Sequence, residues 1–557
     1  MEYPQHVRDS RVARSAGEQP GGARVADRLP AVVEGALVVA GRQAGRLLAL
    51  HAPTDAAATL TPITTRDWEG RDVFRRSAGL VLLEAARQLG VRLQLGPSIT
   101  SGRLLLPSDQ VDRAALALAL NARFAALRDA AAPIQEELWS TDDAIELFRR
   151  QDDPSACLLL EGSLESVVTL LRCGETWANV TRPLLPHAGL LDDVRVLEHP
   201  LGLLLDFGAR IRTTLPKRAA STIALELRAP RYGAPMTRSE SEWLKLLGVD
   251  SVGAFNRVCV EGNVAELIRV SEGFHEKRIA AIADSIKQRG DVRLVAVAGP
   301  SSSGKTTFIK RLLVQLRVNG LEPLELSLDD YYVDRAHQVR DAQGEFDFEA
   351  LEALDVELLR ANLAALLGGG SVRPPRYDFQ QGLSRPAAGT ELRLGERSVL
   401  LIEGIHALNP AIYGLSRSRS FNVFIHPATS LAFDRLSCLE PADVRLIRRI
   451  VRDRHQRGFA AADTLARWPS VRRAERLHIF PFQEEADSVF DSSLVYEVSV
   501  LRVYAERYLR EVPRHAVEAP SARRLRELLQ LFVPIHPDHV PPTSLLREFI
   551  GGSGFTY

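Results

Sequence analysis

The sequence predicts an α/β protein whose second half is a parallel sheet with helices on both faces. Three observations carry this expectation. The apolar run Leu294 to Ala298 leads at once into a Gly/Ser loop and then an amphipathic helix reaching about Val318. Strand-like runs follow at Leu324 to Leu328 and Ser398 to Ile402. Strands that alternate with helices need crossover connections, and these lay helices over both faces of a parallel sheet.

With 557 residues the chain is too long for one ordinary core and is expected to hold about two to four domains. Hydrophobic residues at 45% and charged residues at 25% are the balance of a soluble globular protein. Lys+Arg and Asp+Glu both total 70, so no global charge steers the chain to nucleic acid, although local basic patches remain open. Cys157, Cys173, Cys259 and Cys438 are far apart and form no CxxC pair. That argues against a disulfide framework or zinc ribbon and fits a reducing cytoplasm. No apolar run approaches the roughly 20 residues that span a bilayer, so no membrane partner is expected.

Residues 1–28 are polar, lack the apolar core of a signal peptide and read as a flexible tail. Residues 29–68 show short β-like runs, Ala36 to Ala40 and Arg46 to Leu50. Residues 69–235 mix helix and strand signals, starting with a helical pattern from Arg71 to Leu89 and closing near the Gly233 to Pro235 turn signal. Residues 236–290 read as a helical connector, with Leu267, Ile268, Val270, Ile279, Ile282 and Ile286 forming its apolar stripe. Residues 291–500 hold the parallel sheet. Residues 501–557 are helical and then Pro-rich, with no assigned chemistry.

The loop Gly299, Pro300, Ser301, Ser302, Ser303, Gly304, Lys305, Thr306 satisfies G-x-x-x-x-G-K-[ST], with Thr307 following. Glycines let the backbone turn tightly so that successive N–H groups point at phosphate oxygens, and the following helix adds the positive end of its dipole. Lys305 supplies a point charge to the outer phosphates, and Thr306 a hydroxyl to magnesium. Glu403, closing the run Ser398 to Ile402, suits a phosphate-bound magnesium. Asp329, just past a strand, could take the proton of an attacking hydroxyl, or could simply cap the next helical turn. Arg445, Arg448, Arg449 and Arg452 recur at helical spacing, with Arg457 beyond. Such a row is either a solvated face or a clamp over a transferring phosphoryl group, and periodicity does not choose between them.

These elements, in this order, resemble the uridine kinase and phosphoribulokinase family of P-loop kinases. The matching segments are Gly299 to Thr307, Ser327 to Tyr332, Phe346 to Asp355, Pro375 to Phe379, Leu401 to Pro410 and Arg445 to Gly458. The resemblance implies ATP and magnesium as cofactors, Asp329 as the base and Glu403 beside the metal. It also implies that Asp347 and Tyr377 face the acceptor and that Arg449, Arg452 and Arg457 belong to a mobile lid, with Arg449 reaching the acceptor. Uridine kinases typically carry a His where Gly382 stands and an Arg where Phe459 stands, both against the nucleoside. A pocket that loses such groups loses discrimination.

Residues 29–68 resemble a TGS domain, a small β-grasp module, and residues 69 to about 230 resemble the α+β editing domain of threonyl-tRNA synthetases. The carrying segments are Arg76 to Leu80, Leu95 to Gly102, and Cys173 through Gly189. In that family two His residues with a later Cys and His can hold a metal; the aligned positions here are Arg76, Leu80, Val180 and Leu184, none a zinc ligand. Cys173 and His187 stand nearby as packing residues. The domain is therefore expected neither to bind metal nor to edit. The same composite is found in bacterial proteins called nucleoside kinases.

The expectation is an ATP- and magnesium-dependent kinase acting on a hydroxyl of a nucleoside-like small molecule. A homo-oligomer is expected, with RNA contact through the N-terminal half as a further partner. A nucleotide-gated RNA-binding protein and a kinase for a non-nucleoside alcohol are the alternatives.

Overall fold

The computed structural model describes residues 23–98, 102–107, 112–179, 182–199, 202–208, 243–340, 344, 346–378 and 381–556. The chain forms two compact units. The first comprises Met1–Thr213 with Ser251–Arg257 and Ala432–Cys438; the second comprises Thr214–Asp250, Val258–Leu431 and Leu439–Tyr557.

Among the described residues of the first unit, three antiparallel sheets pack with the long helix Trp68–Gln88. Val73, Phe74, Leu80, Val81 and Leu82 of that helix are fully buried, because its middle is apolar on every side. Leu184, another of the four positions where no metal ligand stands, is core as well, and Arg76 is buried with a guanidinium N–H directed to the Arg182 carbonyl at 3.4 Å. Val180 lies outside the described residues. The expected tail does not extend to residue 28: Val25–Arg28 is a helical turn, and fully buried Val25 packs with Val38 and Leu50. The tail's earlier residues and the Gly233 to Pro235 signal lie outside the described residues.

Domain boundaries drawn as continuous sequence blocks need correction at two short segments. Ser251–Arg257 and Ala432–Cys438 belong to the first unit although the sequence placed them in the connector and the parallel-sheet domain. Leu436 is fully buried in the first unit's core. Asp434 accepts the N–H groups of Asn179, Leu436 and Ser437 at 2.8, 2.9 and 2.6 Å, and Arg103 donates to the Leu436 carbonyl at 2.8 Å. A buried backbone donor must find an acceptor, and here a distant segment supplies it.

The second unit carries five parallel strands: β1 (Leu294–Ala298), β2 (Glu322–Ser327), β3 (Ser398–Glu403), β4 (Ser420–His426) and β5 (Ser488–Asp491). Their order is β2-β3-β1-β4-β5. β1 and β3 are buried at every residue, as apolar strands covered on both faces must be. The register sets Val297 beside Glu403, and Glu403 beside Ser327, so β1, β3 and β2 end level with one another.

Before the sheet runs α1 (Val264–Arg289), which buries Leu267, Ile268, Ile279, Ile282 and Ile286 and stops at Gly290 with φ +70°. Val270, expected in its apolar stripe, is exposed instead. α1 packs on α2 (Lys305–Val318), where buried Arg311 bridges Glu272 and Glu276 at 3.2 and 2.7 Å. After β4 comes α3 (Pro441–Arg452), and after β5 comes α4 (Glu497–Arg510).

Candidate active site

Because β1, β3 and β2 end in line, whatever follows each strand meets at one edge of the sheet, the edge where open α/β sheets bind ligands. β1 delivers the glycine-rich loop. A Cβ on Gly299 would lie 2.0 Å from the Ile425 carbonyl oxygen, so only glycine fits there. Ser302 at φ +58° and Gly304 at φ +88° turn the backbone left-handed, and α2 then starts at Lys305. The Ser302 and Ser303 hydroxyls are buried and have no partner among the described residues. Lys305 folds back over the loop, its ammonium donating to the carbonyls of Gly299 at 2.9 Å and Pro300 at 3.2 Å. Thr306 is half-buried beside it.

β2 delivers Asp329. The helical turn after β2 is capped by Ser327, whose hydroxyl accepts the Asp329 N–H at 3.3 Å and donates to Glu403 at 3.3 Å. The cap is therefore Ser327, not Asp329. Asp329 is solvent-exposed, yet protein crowds its carboxyl enough to raise its pKa, opposed by the charges of Lys305, Arg457 and Arg452. β3 delivers Glu403, whose carboxyl burial pushes up to about 8, with Asp329 reinforcing the shift and Lys305 opposing it. Burial likewise lowers the Lys305 pKa against the pull of Glu403, Asp329 and Glu548. One ammonium thus serves several carboxylates, and the group titrates as a set.

The arginine row divides by depth. Arg445 and Arg448 are fully buried pillars under the loop. Arg445 pairs with Glu475 and donates to the Ser301 carbonyl at 3.3 Å. Arg448 pairs with Glu497 and donates to the carbonyls of Ser302 and Ser303 at 3.4 and 3.3 Å. Arg449 donates to the Ser301 hydroxyl at 3.1 Å. Beyond α3 a wide turn, Asp453–Arg457, ends at Gly458 with φ +71°. Asp453, nearly fully buried, collects Arg449 at 3.3 Å, Arg452 at 3.5 Å and Arg457 at 3.2 Å. Burial lowers the Arg452 pKa to about 10.

Where the resemblance expects the acceptor, the Tyr377 ring lies 5.5 Å from that of Tyr332, and the Tyr377 N–H points to the Asp330 carboxylate at 3.4 Å. Asp347 caps its own turn, accepting the Glu349 N–H at 3.1 Å. Glu349 is the acid of that loop felt by Lys305, Asp329 and Arg449, and burial pushes it up to about 7. Gly382 has φ +72°, and a Cβ there would sit 2.7 Å from the Arg335 Nε. The Phe459 ring has the Arg467 guanidinium 4.9 Å from its centre.

Sequence reasoning placed Lys305, Asp329, Glu403, Arg452 and Arg457, and the structure brings them within electrostatic reach of one another. It missed Ser327, Glu349, Asp453 and Glu548. Only Asp453 left a readable signal, an acid four residues from an Arg on either side.

A strand, a glycine-rich loop and a helix, with an aspartate and a glutamate after neighbouring strands and an arginine-bearing helix against the loop, have the arrangement of a P-loop kinase. Residues 294–499 match the phosphoribulokinase/uridine kinase family, and the chain belongs to that family. It is 31% identical over 198 residues to a uridine kinase of Chloroflexus aurantiacus, covering 35% of this chain and 85% of the relative. A uridine kinase of Deinococcus deserti is 34% identical over 171 residues, 30% of this chain and 73% of the relative. A solved structure of D-glycerate 3-kinase from Cryptococcus neoformans aligns at 19% identity over 37% of this chain and 87% of its own, with a TM-score of 0.26. Among the described residues no helix is long and apolar enough to cross a membrane.

Proposed function

We propose that the protein transfers the γ-phosphoryl group of ATP to a hydroxyl of a nucleoside-like polar small molecule. The observation that carries the reading is the convergence of Lys305, Asp329 and Glu403 at the ends of three adjacent parallel strands. The orphaned Ser302 and Ser303 hydroxyls and the N–H groups at the start of α2 fit a phosphate-rich ligand.

A phosphate-bound magnesium is the cation this reading calls for, since it takes oxygen ligands. The Thr306 hydroxyl and the Glu403 carboxylate would hold that ion, which when bound supplies charge neutralisation of the phosphates. Lys305 would leave the loop carbonyls for the phosphate oxygens. Asp329 would accept the proton of the acceptor hydroxyl as that oxygen bonds to the γ-phosphorus and the bond to the departing ADP oxygen breaks. Arg449, Arg452 and Arg457, held by Asp453, would balance the charge spread over the transferring group and exclude water.

A second reading, a non-nucleoside alcohol as acceptor, is favoured by Gly382. The left-handed backbone and the adjacent Arg335 leave no room for the side chain that uridine kinases carry there. Incubating the protein with ATP, magnesium and a panel of nucleosides, sugars and polyols separates the readings. ADP formation dependent on one acceptor, reduced by about 100-fold or more in Asp329→Asn with ATP binding retained, is the expected result. Full turnover in Asp329→Asn removes the base. RNA retention without any acceptor-dependent turnover would favour a nucleotide-gated RNA-binding protein instead.

A further inference from the structure

The segment from Ser544 to Gly551 lies in the stretch to which the sequence assigned no chemistry, yet it lies on the phosphate loop. Glu548 accepts the Thr307 N–H at 3.1 Å and the Thr307 hydroxyl at 2.9 Å with the same carboxylate oxygen. Thr307 is the third residue of α2, and its N–H is one of the donors that a helix start cannot satisfy internally. Those donors, with the helix dipole behind them, are what a phosphate oxygen binds. Glu548 is itself mostly buried, and its charge acts on Lys305, Glu403 and Arg452. Three residues earlier, the Leu545 methyl groups stand 2.4 and 2.6 Å from where a Cβ on Gly304 would be, so they cover the loop at its left-handed turn.

The segment is held at several points. Gln456, on the wide turn after α3, donates to the Glu548 carbonyl at 2.7 Å. The Ser544 hydroxyl lies 3.3 Å from that of Tyr496. The guanidinium of Arg448, a pillar of the loop, is 5.2 Å from the centre of the Phe549 ring.

We propose that this segment is a built-in competitor for the nucleotide: the Glu548 carboxylate stands in for a phosphate oxygen at the start of α2, and the triphosphate displaces it. The idea rests on the ATP site proposed above. A single carboxylate among Glu403 and Asp329 is a weaker occupant than a triphosphate that brings its own cation, so displacement is favourable but opposed. Because Gln456 grips the segment from the arginine-bearing turn, its release also frees that turn to move.

Hydrogen–deuterium exchange on the full chain, with and without ATP and magnesium, tests this, together with ATP affinity of the wild type and of Glu548→Gln. Displacement predicts slower exchange in residues 299–307 and faster exchange in 544–551 on the same addition. Glu548→Gln should bind ATP about tenfold more tightly, a change of about 1.4 kcal/mol. Slower exchange in both segments, or weaker ATP binding by Glu548→Gln, would make the segment a wall of the pocket and overturn the proposal. No response of 299–307 to ATP in either protein would remove the nucleotide site itself, and the competitor with it. The wild-type exchange measurement stands even if the variant folds poorly.

Discussion

Asp453 is the residue whose removal should most damage the arginine turn. Its carboxylate, with 4% of the side chain exposed, faces Arg449, Arg452 and Arg457 at 3.3, 3.5 and 3.2 Å and accepts from the Thr464 hydroxyl at 3.2 Å. At these distances each pair is worth roughly 5 kcal/mol gross in a medium of dielectric about 20. Arg457 is 46% exposed, so solvent screens its share to about 1 kcal/mol or less. The two deeper pairs remain, and without Asp453 three guanidinium groups repel one another, since Arg457 and Arg449 already depress Arg452. Removing one partner of a buried ion pair typically costs about 3–5 kcal/mol. If about 2.7 kcal/mol of this appears as misplacement of the clamp during transfer, kcat falls about 100-fold. Asp453→Asn keeps the side-chain shape and the contact to Thr464, so it isolates the charge. The assay is acceptor-dependent ADP formation, with ATP affinity measured separately by calorimetry. A variant with kcat within about threefold of wild type would refute the role of Asp453 as organiser of the arginines.

Other outcomes follow from the same geometry. Lys305→Ala should weaken ATP binding by about tenfold or more in direct titration, because among the described residues Lys305 is the ammonium drawn to both Glu403 and Asp329. Burial raises Glu349 from 4.5 to about 7, so the fold favours its protonated form. That contribution is full below about pH 4.5 and is lost as pH rises through about 7, at up to about 1.4 kcal/mol per pH unit. Urea unfolding of the nucleotide-free protein between pH 5 and about 8 should therefore be less pH-dependent in Glu349→Gln. Asp434→Ala should destabilise the first unit by about 2–4 kcal/mol in thermal unfolding, since it strands the N–H groups of Asn179, Leu436 and Ser437.

The strands and helix around the phosphate loop were legible because their signals are contiguous. Leu294 to Ala298 appears with the bounds read from its apolar run, and α2 ends at Val318 as its periodicity indicated. What was not legible depends on partners distant in sequence. Glu548 meets Thr307 across 241 residues, and Asp434 meets Asn179 across 255. No local pattern marks either carboxylate, since each looks like an ordinary polar residue in a connecting stretch. Ser327 escaped for a different reason: Asp and Ser are both favoured caps, and only the coordinates separate adjacent candidates.

The arginine row shows why periodicity alone offered the wrong pair of alternatives. A helix has more than two environments. Arg445 and Arg448 face inward and are neutralised by Glu475 and Glu497, while Arg449 and Arg452 are partly exposed and gather on Asp453, so the row is not a solvated face and has more than one environment. A buried guanidinium is tolerated only when acids and carbonyls satisfy its donors, and the carbonyls recruited here include Ser301, Ser302 and Ser303. The loop is therefore held in shape by its carbonyls, which the arginines engage. Preorganisation of that kind lets a loop offer donors to phosphate without paying for rearrangement. It also ties the loop and the Asp453 turn to one helix, so a change at that turn reaches the loop through α3 as well as through its own arginines.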